Sequence, residues 1–454
     1  MLLPQSALRL RRRVRKGKKT EGLLPFCNVN PQWFNNGPRK NMGKFSDVNS
    51  KCDDLLPRCR IVVTGMGVVT PLGNDIQTFW KALCAGQNGI GPITRCNLDG
   101  FAIQQGGEVQ EISLPQDLAA RINTDDRSQF MVLAAVKQAI DQAGLPNSAK
   151  TAVVLSTNFA AAGTLDGDLG LSTPWTKGDL GFETATDLVA DVWKLSGPRT
   201  TLSLSCSSGA AAIGYGADLI RNARADYVIA GGYDTISRFA WAGLTLLRTM
   251  TEDKIRPFDK NRSGTLFSEG AGIVVLESYE SAKMRNSQIL AELCGFGFNN
   301  NAYHMTAPPK DGQGIADAME MALKEAGIRP EMVDHVNTHG TGTQLNDKTE
   351  TAAIKHVLGK HAFDVPITSI KSMTGHLMGA AGSVEAIASI LTILNGKIPP
   401  TINLTSPDPE CDLPIPTDGP LDANVKIVIS NSSGIGGNNV SLVFRNAKEH
   451  ECKS

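Results

Sequence analysis

Short β-branched apolar runs alternate with longer amphipathic stretches along most of this chain, and glycines stand at the joints between them. The run Ile61-Val62-Val63-Thr64-Gly65-Met66-Gly67 is followed by helical spacing over 76–85, which predicts strand, turn and helix. Residues 151–156, 200–205, 226–231, 270–277 and 289–297 repeat the strand pattern, and 130–143 and 209–223 the helical one. The alternation resumes with helices over 315–326, 347–358 and 379–394, strands over 334–338 and 365–370, and a closing hairpin over 425–444. It predicts a largely parallel sheet with helices on both faces. Two local likenesses hint at duplication. The run beginning Gly270-Ala271-Gly272 has a counterpart beginning Gly436-Gly437-Asn438, and the small-residue helix start Gly209-Ala210-Ala211 has one at Gly379-Ala380-Ala381.

With 454 residues, 41% of them hydrophobic, the chain can bury one large core or two ordinary ones. Lys+Arg and Asp+Glu both number 45, so no net field favours nucleic acid or a membrane surface as partner, and no stretch approaches the roughly 20 apolar residues of a membrane span. Nine scattered cysteines without CxxC pairs fit a reducing compartment. The charge balance hides one asymmetry: eleven Lys or Arg lie between Met1 and Lys44 against the single acid Glu21. That segment reads as a disordered extension or as sequence upstream of a start at Met42, with an organelle transit peptide as the alternative. The expectation is a cytoplasmic protein, or an organelle-matrix one if 1–57 is a transit peptide.

Three polar punctuations carry chemistry. Cys206 follows the strand ending Leu202-Ser203-Leu204-Ser205 and precedes a small-residue helix, so its thiol sits at a helix N-terminus, where the dipole and unpaired amides favour thiolate and lower its pKa toward neutrality. His339 lies between Thr338 and Gly340-Thr341-Gly342-Thr343, and His376 between Gly375 and the helix at Gly379, five residues after Lys371. The loop after His339 carries no bulky side chain near the ring. Read singly, each is an ordinary structural residue; together they point to thiol acyl chemistry. A zinc site is disfavoured because His339 and His376 lie far apart in the sequence, no HExxH occurs and no second cysteine lies near Cys206. A protease-like Cys-His pair would leave one histidine and Lys371 idle.

From about Arg58 to Phe444 the chain resembles the β-ketoacyl-[acyl-carrier-protein] synthases, nearest to type II, on motifs in matching order. They include the segment from Gly65 to Gly73, Arg256-Pro257-Phe258-Asp259, Glu269-Gly270-Ala271-Gly272, Ala302-Tyr303-His304-Met305-Thr306, Asn346-Asp347-Lys348-Thr349-Glu350, the stretch from Lys371 to Glu385, and Pro399-Pro400-Thr401-Ile402-Asn403. The resemblance implies an α/β, thiolase-like fold of two similar αβα halves stacked as five layers, usually in a homodimer. The halves would span 58–297, with the nucleophile, and 298–446, with both histidines, leaving 447–454 as a tail. It implies decarboxylative condensation of an acyl thioester on Cys206 with malonyl-[acyl-carrier-protein], in fatty acid synthesis or, alternatively, in a type II polyketide or specialised lipid pathway. His339 and His376 would bind the malonyl thioester carbonyl, and Lys371 would support them electrostatically. Glu385 matches a partner of that lysine, Asp347 and Glu350 match braces of the loop after His339, and Thr341 and Thr343 match hydroxyls that hold the pantetheine arm. No cofactor of its own and no metal are implied, the substrates being carried on the phosphopantetheine of acyl carrier protein.

Departures from the pattern concentrate in Ser433-Gly434-Ile435-Gly436, where the resembled family has phenylalanine at 433 and 435, the second gating the acyl pocket. Ser433 and Ile435 therefore predict altered acyl selection. The basic segment that such synthases offer to the acidic carrier is not recognisable over 171–178, and Arg248 and Lys254 are the remaining candidates near the site mouth. A non-catalytic partner subunit is disfavoured by Cys206, and a thiolase by the lack of a second cysteine in a matching glycine context at Cys294 or Cys411. A scaffold that merely keeps the fold would show no acyl labelling of Cys206.

Overall fold

A computed structural model of the chain describes residues 59–122, 126–146, 149–162 and 181–447. The basic extension 1–57, the tail beyond Ala447 and the segment 171–178 considered for carrier recognition lie outside the described residues.

β1 (Ile61–Val69) is buried along its whole length, and a bulge between Val63 and Gly65 shifts its register. α1 (Ile76–Cys84) starts where the Asp75 carboxylate accepts from Thr78 N, a conventional cap for an orphan amide. A short ladder of β2 (Gly91–Pro92) with β3 (Gln105–Gly106) and the single turn α2 (Gln116–Ala119) lead to α3 (Arg127–Ala143), which is capped by Asp126. Then follow β4 (Thr151–Ser156), α4 (Thr184–Val192), β5 (Arg199–Leu202), α5 (Ser208–Arg221), β6 (Tyr227–Asp234), α6 (Arg238–Leu246), β7 (Gly270–Ser278), α7 (Tyr279–Met284) and β8 (Ala291–Asn300). α8 (Gln313–Ala326), β9 (His335–Asn337), α9 (Gln344–Leu358), β10 (Ile367–Thr368), α10 (Lys371–Thr374) and α11 (Ala381–Asn395) carry the second part of the chain. β11 (Lys397–Ile398) pairs with β12 (Leu421–Asp422), and the hairpin β13 (Ile427–Gly434) and β14 (Asn438–Arg445) ends the fold.

The main sheet runs β10-β9-β13-β14-β8-β1-β7-β6-β4-β5. Counted outward from the short β8–β1 junction, each flank reads first, fifth, fourth, second and third strand in chain order, with the same sequence of antiparallel and parallel neighbours. This repeats one topology, with β7 and β14 as equivalents and α5 and α11 as equivalents, as the two local sequence likenesses suggest. The first strand of the second flank, β8, begins at Ala291, so position 297 falls inside it. The expectation of a largely parallel sheet is corrected. β4, β5 and β6 run parallel, as do β9, β10 and β13, whereas every pairing among β1, β6, β7, β8, β13 and β14 is antiparallel. Apolar runs buried on both faces look alike in either direction, so run composition could not reveal the antiparallel centre.

Layering explains those unbroken runs. In β7, Ile273 and Val275 join a core with Val136 of α3, whereas Val274 and Leu276 join one with Ile213 of α5 and Ile387 of α11. In β13, Val428 faces the same central helices, and Ile427 and Ile429 face Met319 of α8 and Ile354 of α9. α3 and α4, then sheet, then α5 and α11, then sheet, then α8 and α9 make five layers. The central helices meet closely because added side chains at Gly209 and Gly382 would strike Ser383 N at 2.7 Å and Ala210 N at 2.6 Å. The sequence-based exclusion of any near-spanning apolar stretch also needs correcting: Met378–Asn395 is long and apolar enough by composition, but 89% of it is buried as this central layer.

Candidate active site

The two equivalent central helices bring the reactive groups together. Between β5 and α5 the chain turns through Ser205, whose φ of +54° is a left-handed conformation that costs a non-glycine residue roughly 1–2 kcal/mol. The turn is held by Ser208 Oγ, which accepts from Leu204 N at 2.7 Å and donates to Ser205 O at 2.5 Å, and by Ser207 Oγ, which donates to Leu204 O at 2.8 Å. Cys206 is thereby lifted off the strand end into the pocket. Ile435, at the tip of the β13–β14 hairpin, lines the same pocket, and its backbone N–H favours the thiolate.

His376 is locked at the opposite side by backbone pairing: Ser268 N donates to His376 O at 2.9 Å and His376 N to Leu266 O at 2.8 Å. Gly375, at φ +73°, makes the bend between α10 and this pairing. Phe267 stacks on the imidazole at 5.5 Å between centroids, and Met378 N donates to its Nδ1 at 3.3 Å. His339 leaves β9 with its backbone N–H donating to Glu350 at 2.7 Å, and Gly340 N donates to the other oxygen at 2.9 Å. Its ring meets His376 edge to face at 5.4 Å. Lys371 Nζ lies 3.3 Å from His339 Nδ1 and pairs with Glu385; all three side chains are buried.

The electrostatics follow from burial. Each Nδ1 has a donor beside it, so each histidine carries its proton on Nε2. Desolvation, with the Lys371 ammonium next in importance, holds the pKa of both rings well below the usual imidazole range, so both are neutral Nε2–H donors. Burial pushes the carboxyls of Glu350 and Glu385 up to about 7, against the pull of backbone amides in the first case and of Lys371 in the second. For Cys206 the expected lowering is overturned. Although half-exposed to the pocket, the thiol is pushed up to about 11 by desolvation, with Lys371 and the Ile435 N–H pulling against the rise. The pocket is too dry for the helix end to win.

The donor atoms of Cys206, His339 and His376 lie within 4.8 Å of one another. A cation could reach all three, but the buried ammonium on His339 adds positive charge at that point, and an anion forming between the imidazoles suits the field better. One pocket is lined by these three residues together with Thr341, Thr343, Ser433 and Ile435, with Arg248 among its other walls. Thr341 and Thr343 share a hydroxyl hydrogen bond at 2.9 Å. Asp347 is buried and braces the same loop, accepting from Gly342 N at 3.2 Å and Phe258 N at 2.8 Å. Gly436 adjoins the pocket at the hairpin tip, where its N–H donates to Met305 O at 2.7 Å.

Sequence reasoning missed Phe267 and Asp234. The buried Asp234 carboxylate accepts from Thr157 Oγ1 at 2.7 Å, Phe159 N at 3.0 Å and Gly379 N at 2.6 Å, tying the ends of β4 and β6 to the His376 loop. An acid ending the apolar strand Tyr227–Asp234 was the available signal.

A strained strand-to-helix thiol facing two neutral histidines, inside a duplicated five-layer α/β fold, defines a thiolase-fold condensing enzyme. The models of the N-terminal and C-terminal domains of beta-ketoacyl synthase match residues 58–282 and 290–405. The chain belongs to the beta-ketoacyl synthase family. It is 39% identical over 410 residues to a 3-oxoacyl-[acyl-carrier-protein] synthase 2 of Synechocystis, covering 86% of this chain and 99% of that protein. It is 37% identical over 407 residues to the protein of the same name from Coxiella burnetii, covering 85% and 98%. Among solved structures, the ishigamide ketosynthase/chain length factor superposes with a TM-score of 0.80 at 36% identity, over 86% of this chain and all of that one. A type II polyketide ketosynthase bound to its acyl-carrier protein and the hexaketide gives 0.79 at 33%, also over 86% and 100%. The divergent hairpin that carries Ser433 and Ile435 lies beyond the span of the C-terminal family match.

Proposed function

We propose that this chain catalyses decarboxylative condensation of an acyl thioester with malonyl-[acyl-carrier-protein], giving 3-oxoacyl-[acyl-carrier-protein] and carbon dioxide in fatty acid synthesis. The observation that carries this reading is the convergence of one thiol and two imidazole donors within 4.8 Å, both imidazoles held neutral with Nε2–H free. In the first half-reaction Cys206 Sγ bonds to the acyl carbonyl carbon, the carrier's C–S bond breaks, and the carrier leaves as its thiol. In the second, malonyl loses carbon dioxide and the electron pair moves onto the thioester oxygen, where two N–H donors in a dry site stabilise the enolate. The enolate carbon then bonds to the acyl carbon, the bond to Sγ breaks, and the departing thiolate takes a proton from solvent to restore the thiol. Backbone N–H groups of Cys206 and Ile435 bracket the oxyanion formed at that carbon. Lys371 orients His339 and deepens the positive potential, and it is not placed to take a proton from substrate.

The substrates arrive on the phosphopantetheine of an acyl carrier protein. Thr341 and Thr343 face that arm, and Arg248 on the pocket wall offers the positive charge an acidic carrier needs. The enzyme works as a homodimer, for which β5, one of the two terminal strands of the main sheet, offers an edge unpaired among the described residues. A type II polyketide or specialised lipid ketosynthase is the second reading, favoured by Ser433 and Ile435 in the pocket wall. The deciding experiment is mass spectrometry of the protein incubated with a panel of acyl-carrier thioesters. An acyl adduct on Cys206, followed by carbon dioxide release with malonyl-carrier, is the expected result; no adduct with any chain would overturn the assignment.

A further inference from the structure

On the face of the main sheet that α8 covers, side chains change from apolar to polar as the pocket is approached. Ile427, Ile429 and Val443 belong to the core with Met319. Two residues further along β13 the row becomes Asn431 beside Ser441, and two further again Ser433 beside Asn439 beside Asn299, in register across β13, β14 and β8. Asn301, the first residue past the end of β8, joins this row through Asn439.

These groups form a connected set. Asn439 Nδ2 donates to Asn301 Oδ1 at 2.7 Å and Asn299 Oδ1 at 3.0 Å, and its Oδ1 accepts from Ser433 Oγ at 3.1 Å. Asn299 Nδ2 is satisfied by Gly314 O at 2.7 Å. The start of α8 makes room for them, because a Cβ at Gly314 would overlap Asn301 Oδ1. Ser433, Asn439 and Asn301 line the pocket that holds Cys206, with Ile315 of α8. Among the described residues Asn301 Nδ2 donates to nothing, and Ser433 Oγ, its proton committed to Asn439, keeps its lone pairs. A fully hydrocarbon chain laid against this wall would strip water from those groups and return no hydrogen bond.

We propose that this polar chamber selects acyl groups bearing an uncharged oxygen substituent, a hydroxyl or keto group, which accepts from Asn301 Nδ2 and, if a hydroxyl, donates to Ser433 Oγ. The proposal rests on the acyl-Cys206 reading above and adds a substrate class to it. Ser433 and Asn301 are specificity residues here, remote from the bonds that break.

The test is competition acylation of the full-length protein by pantetheine thioesters of octanoate and of its 3-, 5- and 7-hydroxy derivatives, with adducts on Cys206 counted by mass spectrometry. At least one hydroxy isomer is expected to outcompete octanoate by about tenfold or more, the ratio that corresponds to the net contribution of roughly one hydrogen bond. Asn301→Leu and the milder Ser433→Ala should each erase most of that preference while octanoyl labelling persists. Octanoate labelling as well as every hydroxy isomer, or a preference untouched in both variants, would overturn the polar chamber and leave acyl transfer standing. No labelling by any of the four would instead remove the acyl-enzyme reading itself.

Discussion

Lys371 Nζ stands 3.3 Å from Nδ1 of His339, on the far side of the ring from the pocket, and the two side chains are buried with Glu385. An ammonium cannot accept a hydrogen bond, so this contact fixes the proton of His339 on Nε2 and aims it at the substrate. Lys371→Met should therefore lower the rate of malonyl decarboxylation by ~100-fold or more, in the range lost when one oxyanion support is removed. Acylation of Cys206 should fall much less, because Lys371 reaches the thiol only through its charge and does not touch the strained turn beneath it. Carbon dioxide release and the Cys206 adduct, measured in the same sample, separate the two steps. Equal losses in both would show that Lys371 merely holds the fold.

The raised pKa of Cys206 makes the resting nucleophile a thiol. Its folded value of about 11 exceeds the ordinary thiol value because burial disfavours the thiolate. Alkylation of Cys206 by a small neutral reagent should then rise about tenfold per pH unit from pH 7 to 9, following the thiolate fraction. Peptide-level mass spectrometry distinguishes it from Cys59, Cys84 and Cys96, which are also partly accessible. A rate already flat at pH 7 would mean that the end of α5 outweighs desolvation.

How much was legible before the structure depends on whether the determinant is local. The helical spacing over 130–143 and 315–326 is set by residues three and four apart, and α3 and α8 cover those stretches, starting three and two residues earlier. Cys206 and His339 were legible because each stands on a small-residue loop at a strand exit, and His376 because it lies between Gly375 and the small-residue start of α11, with the short α10 separating it from β10. Strand direction was not, since Ile273 and Val274 look the same whichever way the neighbour runs. The thiol pKa was misread because the helix end is visible in sequence whereas the dryness of a pocket assembled from β5, β9, α10 and β13 is not. The asparagine row escaped notice for the same reason: Asn299, Ser433 and Asn439 are neighbours only through the β8–β14–β13 register.

Ile435 lines the pocket with Cys206, so the size of its side chain limits what passes the thiol. Ile435→Phe adds ring volume to the partly exposed pocket wall beside the thiol, and an acyl chain forced against it meets overpacking of the kind that costs about 1–3 kcal/mol. The longest acyl chains the wild type accepts should lose ~10-fold or more in kcat/KM, and short chains much less. Product profiles from an elongation assay with a graded set of acyl-carrier thioesters give the comparison, and an unchanged chain-length profile would remove the gating role.

His335 is buried on β9, shares a hydrogen bond at 2.9 Å between Nε2 and Thr368 Oγ1, and leaves Nδ1 without a partner among the described residues. Desolvation lowers its pKa to about 3 from an ordinary 6.5. The folded chain therefore keeps this ring neutral between pH 6.5 and 3 while the unfolded chain protonates it, so the group's contribution to stability is full above pH 6.5 and declines as pH falls. Each unit in that window costs about 1.4 kcal/mol, or about 2 kcal/mol between pH 6.5 and 5.0. His335→Gln removes the titration and retains a side chain able to bond Thr368. Whatever its stability at pH 7.5, the variant should gain about 2 kcal/mol relative to wild type on moving to pH 5.0. Urea unfolding of both proteins at the two pH values measures this double difference, which cancels the titrations they share. A difference that stays constant would mean that His335 is already charged in the folded chain and that its burial has been relieved by water.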